Sequence, residues 1–404
     1  MARNTLGFDA GSLKLASPAQ SLAPIKGIPG FTNGKKRSVG GGGGVLAAPV
    51  APGLWSWGSN QRGELGLGVG YDYSSPKQVG ALTTWSKMSG NGSSIESFTL
   101  AIKTDGTLWS WGENQAGQLG IGNATLYSSP KQVGALTTWA TVSAAARDGF
   151  AIKTNGTLWS WGRNAYGQLG LGNTTIYSSP KQVGALTTWA TISGGLNFVL
   201  AVKTDGTLWS WGKGNYATLG LGNLTNYSSP KQVGALTTWS KVSAGSSSSL
   251  AIKTDGTLWA WGSNDSGNLG LGNTTGYSSP KQVGALTNWS VLMMRHNGAS
   301  AVKTDGTLWA WGDNSSGQLG LGNTTNYSSP KQVGAGTTWS KVSSGINFKL
   351  ALKTDGTLWS WGINTSGRLG LGNTTTYSSP KQVGAGTTWS TAEAGNDFSL
   401  AIIT

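Results

Sequence analysis

The residues that could do chemistry in this chain are few and scattered. Its 404 residues include one histidine, no cysteine and 15 carboxylates. The histidine, His296, follows two methionines and an arginine in a stretch that we predict to be a loop, and a lone loop imidazole is more typical of an incidental residue than of a catalyst. No acidic pair, metal-ligand cluster or nucleophile motif has the spacing typical of an enzyme. We therefore predict a non-enzymatic protein without a metal or cofactor.

Glycine-rich runs are the nearest approach to a cofactor motif. The run Gly167–Gly172 reads Gly-Gln-Leu-Gly-Leu-Gly, which superficially fits a dinucleotide-binding loop. Such a loop must follow a strand and open a helix. Here the run recurs along the chain, and no helical periodicity follows it. We interpret these glycines as turn-forming residues in the connections between strands.

The elements that position all these residues are seven copies of one repeat. Each copy has the core Leu-Trp-Ser-Trp-Gly or Leu-Trp-Ala-Trp-Gly, beginning at Leu54, Leu108, Leu158, Leu208, Leu258, Leu308 and Leu358. The first interval is 54 residues and the later ones are 50. All 21 tryptophans fall in the repeats, three in each. A fixed period of this length is the signature of a repeat architecture.

One repeat contains four short strand patterns. In the second copy they cover residues 127–133, 139–143, 150–154 and 157–161. Asn155-Gly156 separates the last two and predicts a type I′ hairpin turn, with positive φ at both residues. Four antiparallel strands in about 50 residues are typical of a propeller blade. The sequence therefore predicts an all-β fold, a seven-bladed β-propeller of four-stranded antiparallel blades.

The two ends of the repeat region predict a closed ring. The first copy lacks the strand that should precede Leu54, and the chain finishes with that missing strand, residues 400–404. Pairing of these segments would remove the exposed sheet edges. The predicted domains are thus a propeller over residues 51–404 and a Gly/Pro-rich arm over residues 1–50. The arm lacks the apolar run of a secretory signal, and no stretch could span a membrane.

The arm carries the basic cluster Lys35, Lys36 and Arg37, followed by five glycines. We predict that it docks on a partner, with a flexible tail as the alternative.

The repeat resembles a known family. Trp111-Gly112-Glu113-Asn114-Gln115-Ala116-Gly117-Gln118-Leu119-Gly120, then Pro130 and Val133, then Leu-Ala-Ile-Lys-Thr-Asp-Gly as in residues 250–256, is similar to the RCC1 (regulator of chromosome condensation) repeat. The resemblance covers residues 54–404. It implies a seven-bladed propeller, and some members of that family act as guanine-nucleotide exchange factors and bind chromatin. Fold alone does not fix function.

Two windows vary between copies that are otherwise nearly identical. The first follows each Trp-Gly, and the second separates the second and third strands of the repeat. Strand direction places both windows on one face of the disc and the constant Asp-Gly and Gly-Ala-Leu-Thr turns on the other. Aromatic, Met and Arg side chains there are typical of interfaces. The candidate binding residues are Arg62, Glu113, Arg147, Arg163, Tyr166, Lys213, Tyr216, Met293, Met294, Arg295 and Asp313. The alternative is neutral drift.

The net charge of +14 is largely periodic, because lysines recur at two repeat positions. A charge spread around a ring makes nucleic acid an unlikely partner. We favour a virion or phage component, because an N-terminal arm precedes a propeller with an outward variable face and the charged fraction is low. Its arm would bind other virion subunits, and its variable face would bind a host receptor or glycan. The alternative is a cytoplasmic RCC1-like regulator that binds a small GTPase or nucleic acid.

Overall fold

The structure is a computed structural model that describes residues 38–39, 51–91 and 96–404. This part of the chain contains 29 strands, β1 to β29, arranged in seven sheets. The predicted seven-bladed propeller with four-stranded antiparallel blades is therefore confirmed. Lys35, Lys36 and Arg37 lie outside the described residues, as does most of the predicted arm.

Six blades are each continuous in sequence, and their strands lie side by side in chain order. Blades 1 to 3 are β4 (Trp85–Gly90), β5 (Phe98–Lys103), β6 (Leu108–Gly112) and β7 (Tyr127–Gln132); β8 (Trp139–Ala144), β9 (Asp148–Lys153), β10 (Leu158–Gly162) and β11 (Tyr177–Gln182); and β12 (Trp189–Gly194), β13 (Phe198–Lys203), β14 (Leu208–Gly212) and β15 (Tyr227–Gln232).

Blades 4 to 6 repeat this arrangement with the same strand order. They are β16 (Trp239–Ala244), β17 (Ser248–Lys253), β18 (Leu258–Gly262) and β19 (Tyr277–Gln282); β20 (Trp289–Arg295), β21 (Gly298–Lys303), β22 (Leu308–Gly312) and β23 (Tyr327–Gln332); and β24 (Trp339–Ser344), β25 (Phe348–Lys353), β26 (Leu358–Gly362) and β27 (Tyr377–Gln382).

Blade 7 is built from both ends of the repeat region. Its strands, from the centre outward, are β28 (Trp389–Ala394), β29 (Phe398–Ile403), β2 (Gly53–Gly58) and β3 (Asp72–Gln78). Leu54 lies opposite Ile402, and Trp57 lies opposite Ser399. The predicted closure by the C-terminal strand is confirmed. The two-residue strand β1 (Ser38–Val39) adds to the outside of β3 in parallel.

Each blade ends one strand later than the repeat unit described above. The Tyr-Ser-Ser-Pro-Lys-Gln strand is the outermost strand of the preceding blade, as Tyr127 opposite Gly112 shows in blade 1. Its proline lacks a ladder donor, and an outer edge is where a sheet tolerates this residue. The Gly-Ala-Leu-Thr segment then carries the chain from the rim of one blade to the centre of the next.

The hairpin between the third and fourth strands of the repeat unit differs from the prediction. Gly156 has a φ of +76°, but Asn155 is not among the residues with positive φ. The Gly156 amide donates to the Lys153 carbonyl at 2.9 Å, and Lys153 donates to the Thr157 carbonyl at 3.0 Å. The turn is thus a three-residue loop that ends in a left-handed glycine. The type I′ prediction was wrong, because the Asn155 side chain accepts bonds from Thr157 and keeps Asn155 right-handed.

Tryptophans join each blade to its neighbour. The second indole of each repeat core is fully buried and donates to a carbonyl of the preceding blade, as Trp161 does to Gln118 at 2.8 Å. Trp139 packs edge-on against Trp159 and Trp161 at centroid distances of 6.1 and 6.5 Å. The Lys153 ammonium lies 3.8 Å from the Trp159 ring centre. The Trp161 bond thus joins blade 2 to blade 1, whereas the ring and ammonium contacts stabilise blade 2 itself.

Candidate binding surface

Seven backbone hydrogen bonds bring the two variable windows together. In every blade the residue after Trp-Gly donates its amide to a carbonyl of the second window, at 2.8 to 3.0 Å. The pairs are Ser59 to Asp397, Glu113 to Ser97, Arg163 to Arg147, Lys213 to Asn197, Ser263 to Ser247, Asp313 to Asn297 and Ile363 to Asn347. We call the surface formed by these two windows the variable face.

The constant turns meet at the opposite ends of the strands. The Gly156 carbonyl of blade 2 accepts from the Trp189 amide of blade 3 at 3.1 Å, next to the turn that contains Thr187. The same bond recurs between Gly106 and Trp139. The prediction that the windows share one face and the constant turns the other is therefore confirmed.

Two ion pairs connect the variable windows of blades 7, 1 and 2. Arg62 lies 3.2 Å from the Glu113 carboxylate, and Arg147 lies 2.5 Å from Glu96. The Glu113 side chain is buried, whereas that of Arg62 is 40% exposed. Burial raises the pKa of Glu96, and the Arg147 guanidinium opposes this shift. Both arginines are thus held in place by carboxylates of the neighbouring blade.

Two further carboxyl groups are buried beneath this network. Burial raises the pKa of Asp148 well above its ordinary value, although Gln168 and Arg163 act in the opposite direction. Burial also raises the pKa of Glu64 to about 8. Glu64 is therefore largely protonated at neutral pH. Sequence reasoning missed Glu64, Glu96 and Asp148, although Asp148 stands where most of the other repeats carry Phe.

Aromatic rings enclose a lysine at the boundary of blades 2 and 3. The Lys213 ammonium lies 4.8 Å from the Tyr166 ring centre and 5.3 Å from that of Tyr216. Tyr216 is 51% exposed. Three predicted site residues are thus brought into one cation–π cluster at the surface.

The predicted residues of blade 5 are used mainly for packing. Arg295 donates to the carbonyls of Ser344 at 2.8 Å, Ala394 at 3.0 Å and Gly90 at 3.1 Å, which belong to the innermost strands of blades 6, 7 and 1. Burial lowers the pKa of Arg295 to about 10, and Glu393 partly offsets this. Arg295 therefore bridges the centre of the ring.

Its neighbours also contact the protein itself. Met294 is buried in the core between blades 4 and 5, and Met293 lies 3.8 Å from the Ser243 hydroxyl. Asp313 accepts from the Gln318 amide at 2.8 Å. Met293, Met294 and Asp313 belong to blade 5 and Tyr216 to blade 3, so the structure places these predicted site residues on different blades.

A buried lysine was also missed. Lys349 is 2% exposed, donates to the Ser344 hydroxyl at 3.0 Å, and has its pKa lowered to about 7 by burial. A signal was available, because the matching position of the other six repeats is uncharged. Within the described ranges, no cluster of His, Asp or Glu could hold a metal ion.

Comparison with family models covers most of the ring. Residues 96–300 match the RCC1-like domain, and residues 53–93, 305–352 and 355–402 match the regulator of chromosome condensation (RCC1) repeat. The chain belongs to the RCC1 repeat family. The resemblance predicted from the repeat motif is therefore confirmed.

Curated relatives match this RCC1-family chain over short stretches. Mouse protein RCC2 is 37% identical over 81 residues, and the human E3 ubiquitin-protein ligase HERC2 is 32% identical over 114 residues. These matches cover 20% and 28% of this chain, but only 15% of RCC2 and 2% of HERC2.

Solved structures share the fold. Prp20p from Saccharomyces cerevisiae, described with its binding properties to Gsp1p and histones, is 19% identical with a TM-score of 0.76, covering 89% of this chain and 93% of that one. Human WBSCR16 is 21% identical with a TM-score of 0.78, covering 88% and 99%.

The RCC1-family membership bears on the functional alternatives. No relative described above supports a virion component, docking on virion subunits, or a host receptor or glycan as ligand. The relatives instead favour the RCC1-like alternative. Across the part of the chain that the structure describes, no helix is long and apolar enough to cross a membrane.

Proposed function

We propose that this chain is a non-enzymatic, cytoplasmic RCC1-like regulator that binds a protein partner on its variable face. The arrangement of the windows carries the proposal. Seven equivalent hydrogen bonds collect every variable segment on one side, while the turns that hold the blades together occupy the other. A rigid scaffold that presents variable loops is a common design for binding.

The side chains of the variable face fit a protein partner. Arg and Tyr are enriched at the energetic centres of interfaces, and Arg62, Arg163, Tyr166 and Tyr216 stand on this face. Prp20 is described in complex with Kap60, and we infer a protein ligand here by analogy with that solved relative.

A nucleic-acid ligand is less well supported. The repeated lysines on the second strand of the blades, such as Lys153, stack on tryptophans. Those on the outermost strands lie near tyrosines, such as Lys131 at 5.2 Å from the Tyr127 ring centre. Their charge is spread around the ring rather than gathered in one patch, which is the arrangement expected of a solubilising surface.

Photo-crosslinking from both faces tests the proposal. A photoreactive residue replaces Ser263 or Tyr216 on the variable face, and Leu236 on the constant face serves as the matched control, since it is 50% exposed. The full chain is irradiated in an extract of its source. Any crosslinked protein is then purified, and its affinity for the unmodified chain is measured by calorimetry. We expect crosslinks from the variable face and saturable binding, whereas crosslinks confined to Leu236 would contradict the proposal.

The arm of residues 1–50 is part of the same proposal, as a docking segment that precedes the propeller of residues 51–404 in the chain. Because Ser38 and Val39 pair with Asp72 and Tyr73, the test compares deletion of residues 1–37 with deletion of residues 1–50. Both truncated chains should keep the β-sheet circular dichroism spectrum. Both should lose binding to the purified partner that crosslinking identifies. Unchanged association in both would remove the docking role.

A further inference from the structure

We propose that the variable face of blades 2 and 3 binds an acidic, Asp/Glu-rich segment of the partner protein, through Arg163 and the Tyr166–Lys213–Tyr216 cluster. This inference rests on the proposed function and names the chemistry of its ligand. It assigns the binding energy to one sector of the ring rather than to the whole face.

The charge balance of this sector favours an acidic ligand. Arg62 and Arg147 are neutralised by Glu113 and Glu96. Arg163 lies near Asp148, whose pKa is raised well above its ordinary value by burial, and the two side chains form no ion pair. Among the described residues, neither Arg163 nor Lys213 has a carboxylate within ion-pair distance. Two partly exposed cations therefore have no ion-pair partner among the residues that the structure describes.

The cluster is also preorganised. The two tyrosine rings hold the Lys213 ammonium from adjacent blades. A lysine fixed in this way loses less conformational entropy when a carboxylate binds it. Tyr216, which is half exposed, adds apolar area and a hydroxyl beside the charge.

The loop that carries Lys213 and Tyr216 departs from the other six. The other loops have an asparagine after the first variable residue, as Asn164 does in blade 2, where it accepts from the Leu169 amide at 2.9 Å. Blade 3 has Gly214 at that position.

Three residues further on, the same loop is strained. Ala217 has a φ of +61°, and the matching residue of the other loops is glycine. A left-handed alanine costs about 1 kcal/mol relative to glycine. Strain retained at a surface loop is typical of a functional site. Of the seven otherwise equivalent loops, the one beside the uncompensated cations has thus given up local stability.

Blade 4 supplies an internal comparison. Ser263 and Ser266 occupy the positions of Lys213 and Tyr216. The same scaffold is therefore present there without the cations and rings, so substitutions in blade 4 can serve as controls for those in blades 2 and 3.

The test uses a fluorescein-labelled octaglutamate peptide and the full-length chain. Fluorescence anisotropy gives the dissociation constant for the wild type, for the double variant R163A/K213A, and for Tyr216→Ala. The double variant K281A/K331A removes the same charge from the outer strands and is the matched control. We expect at least tenfold weaker binding for R163A/K213A, several-fold weaker binding for Tyr216→Ala, and a change below twofold for the control.

Three outcomes would overturn the inference. Equal weakening by R163A/K213A and K281A/K331A would show that only net charge matters. Unchanged binding in R163A/K213A would place the site elsewhere. Tighter binding of a single-stranded oligonucleotide with the same number of charges would favour nucleic acid. The crosslinking experiment remains a separate test, because a partner captured on the variable face by contacts insensitive to R163A/K213A would leave the proposed function standing.

Discussion

Two glycines on neighbouring turns of the constant face give a sharp test of how the blades are joined. An alanine Cβ at Gly156 would lie 2.1 Å from the Thr187 carbonyl oxygen, whereas one at Gly184 would have nothing within 4 Å. Both glycines have left-handed backbones, with φ of +76° and +61°. Gly184→Ala therefore carries the conformational penalty alone, about 1–2 kcal/mol.

Gly156→Ala adds a clash between two backbone segments. Thr187 must move by most of an ångström to relieve it, and this strains the 3.1 Å bond from the Trp189 amide to the Gly156 carbonyl. Loss of a buried hydrogen bond costs about 1–3 kcal/mol. We therefore expect Gly156→Ala to destabilise the protein by about 2–5 kcal/mol in total.

Urea denaturation followed by tryptophan fluorescence measures the difference. The midpoint of Gly156→Ala should fall clearly below that of Gly184→Ala, with similar slopes for both variants. Equal midpoints would refute the claim that contact between the constant turns holds neighbouring blades together.

Three other substitutions test buried charges. Arg295→Met removes the donor from three carbonyls in three blades and should lower the free energy of unfolding by about 3–5 kcal/mol; a loss below 1 kcal/mol in urea would contradict the bridging role. Lys349→Met should raise stability most below pH 7 and progressively less toward pH 10, because the lowered pKa of Lys349 makes its buried charge costly wherever it is protonated; a pH-independent difference in melting temperature would contradict this. The wild type should lose stability as pH rises from 4.5 through 8, because the raised pKa of Glu64 lets the folded state keep a proton that the unfolded state releases. Glu64→Gln should abolish this loss. Melting temperatures of the variant and the wild type that change in parallel across that pH range would contradict it.

Periodic features of the fold could be predicted from the sequence. The spacing of Trp109 and Trp111, present in all seven copies, predicts a strand with both indoles on one face, and the final residues 400–404 complete the blade that begins near Leu54. Both signals are local or comparative, so they need no knowledge of side-chain contacts. The turn geometry at Asn155 was missed because a side-chain bond to Thr157 decides it.

The roles of individual site residues depend on closure of the ring. Arg295 contacts Gly90, 205 residues away in the sequence, because closure of the ring brings the innermost strands of all blades together at its centre. No sequence pattern relates those positions, so Arg295 resembled an interface residue in a variable loop. Tyr166 and Lys213 were predicted separately, and their contact follows from the packing of blade 2 against blade 3. The variable face was predictable, but its internal pairing was not.

The most direct test of the central claim replaces the proposed binding side chains of blades 2 and 3 with the uncharged residues that blade 4 carries at the same positions. A variant carrying Arg163→Ser, Tyr166→Ser, Lys213→Ser and Tyr216→Ser takes its residues from the matching positions of blade 4, Ser263 and Ser266. Calorimetric titration with the purified partner that crosslinking identifies should show at least a hundredfold loss of affinity. The unfolding midpoint of the variant should stay at or above that of the wild type. Retained affinity in this folded variant would contradict the assignment of binding to the variable face of blades 2 and 3.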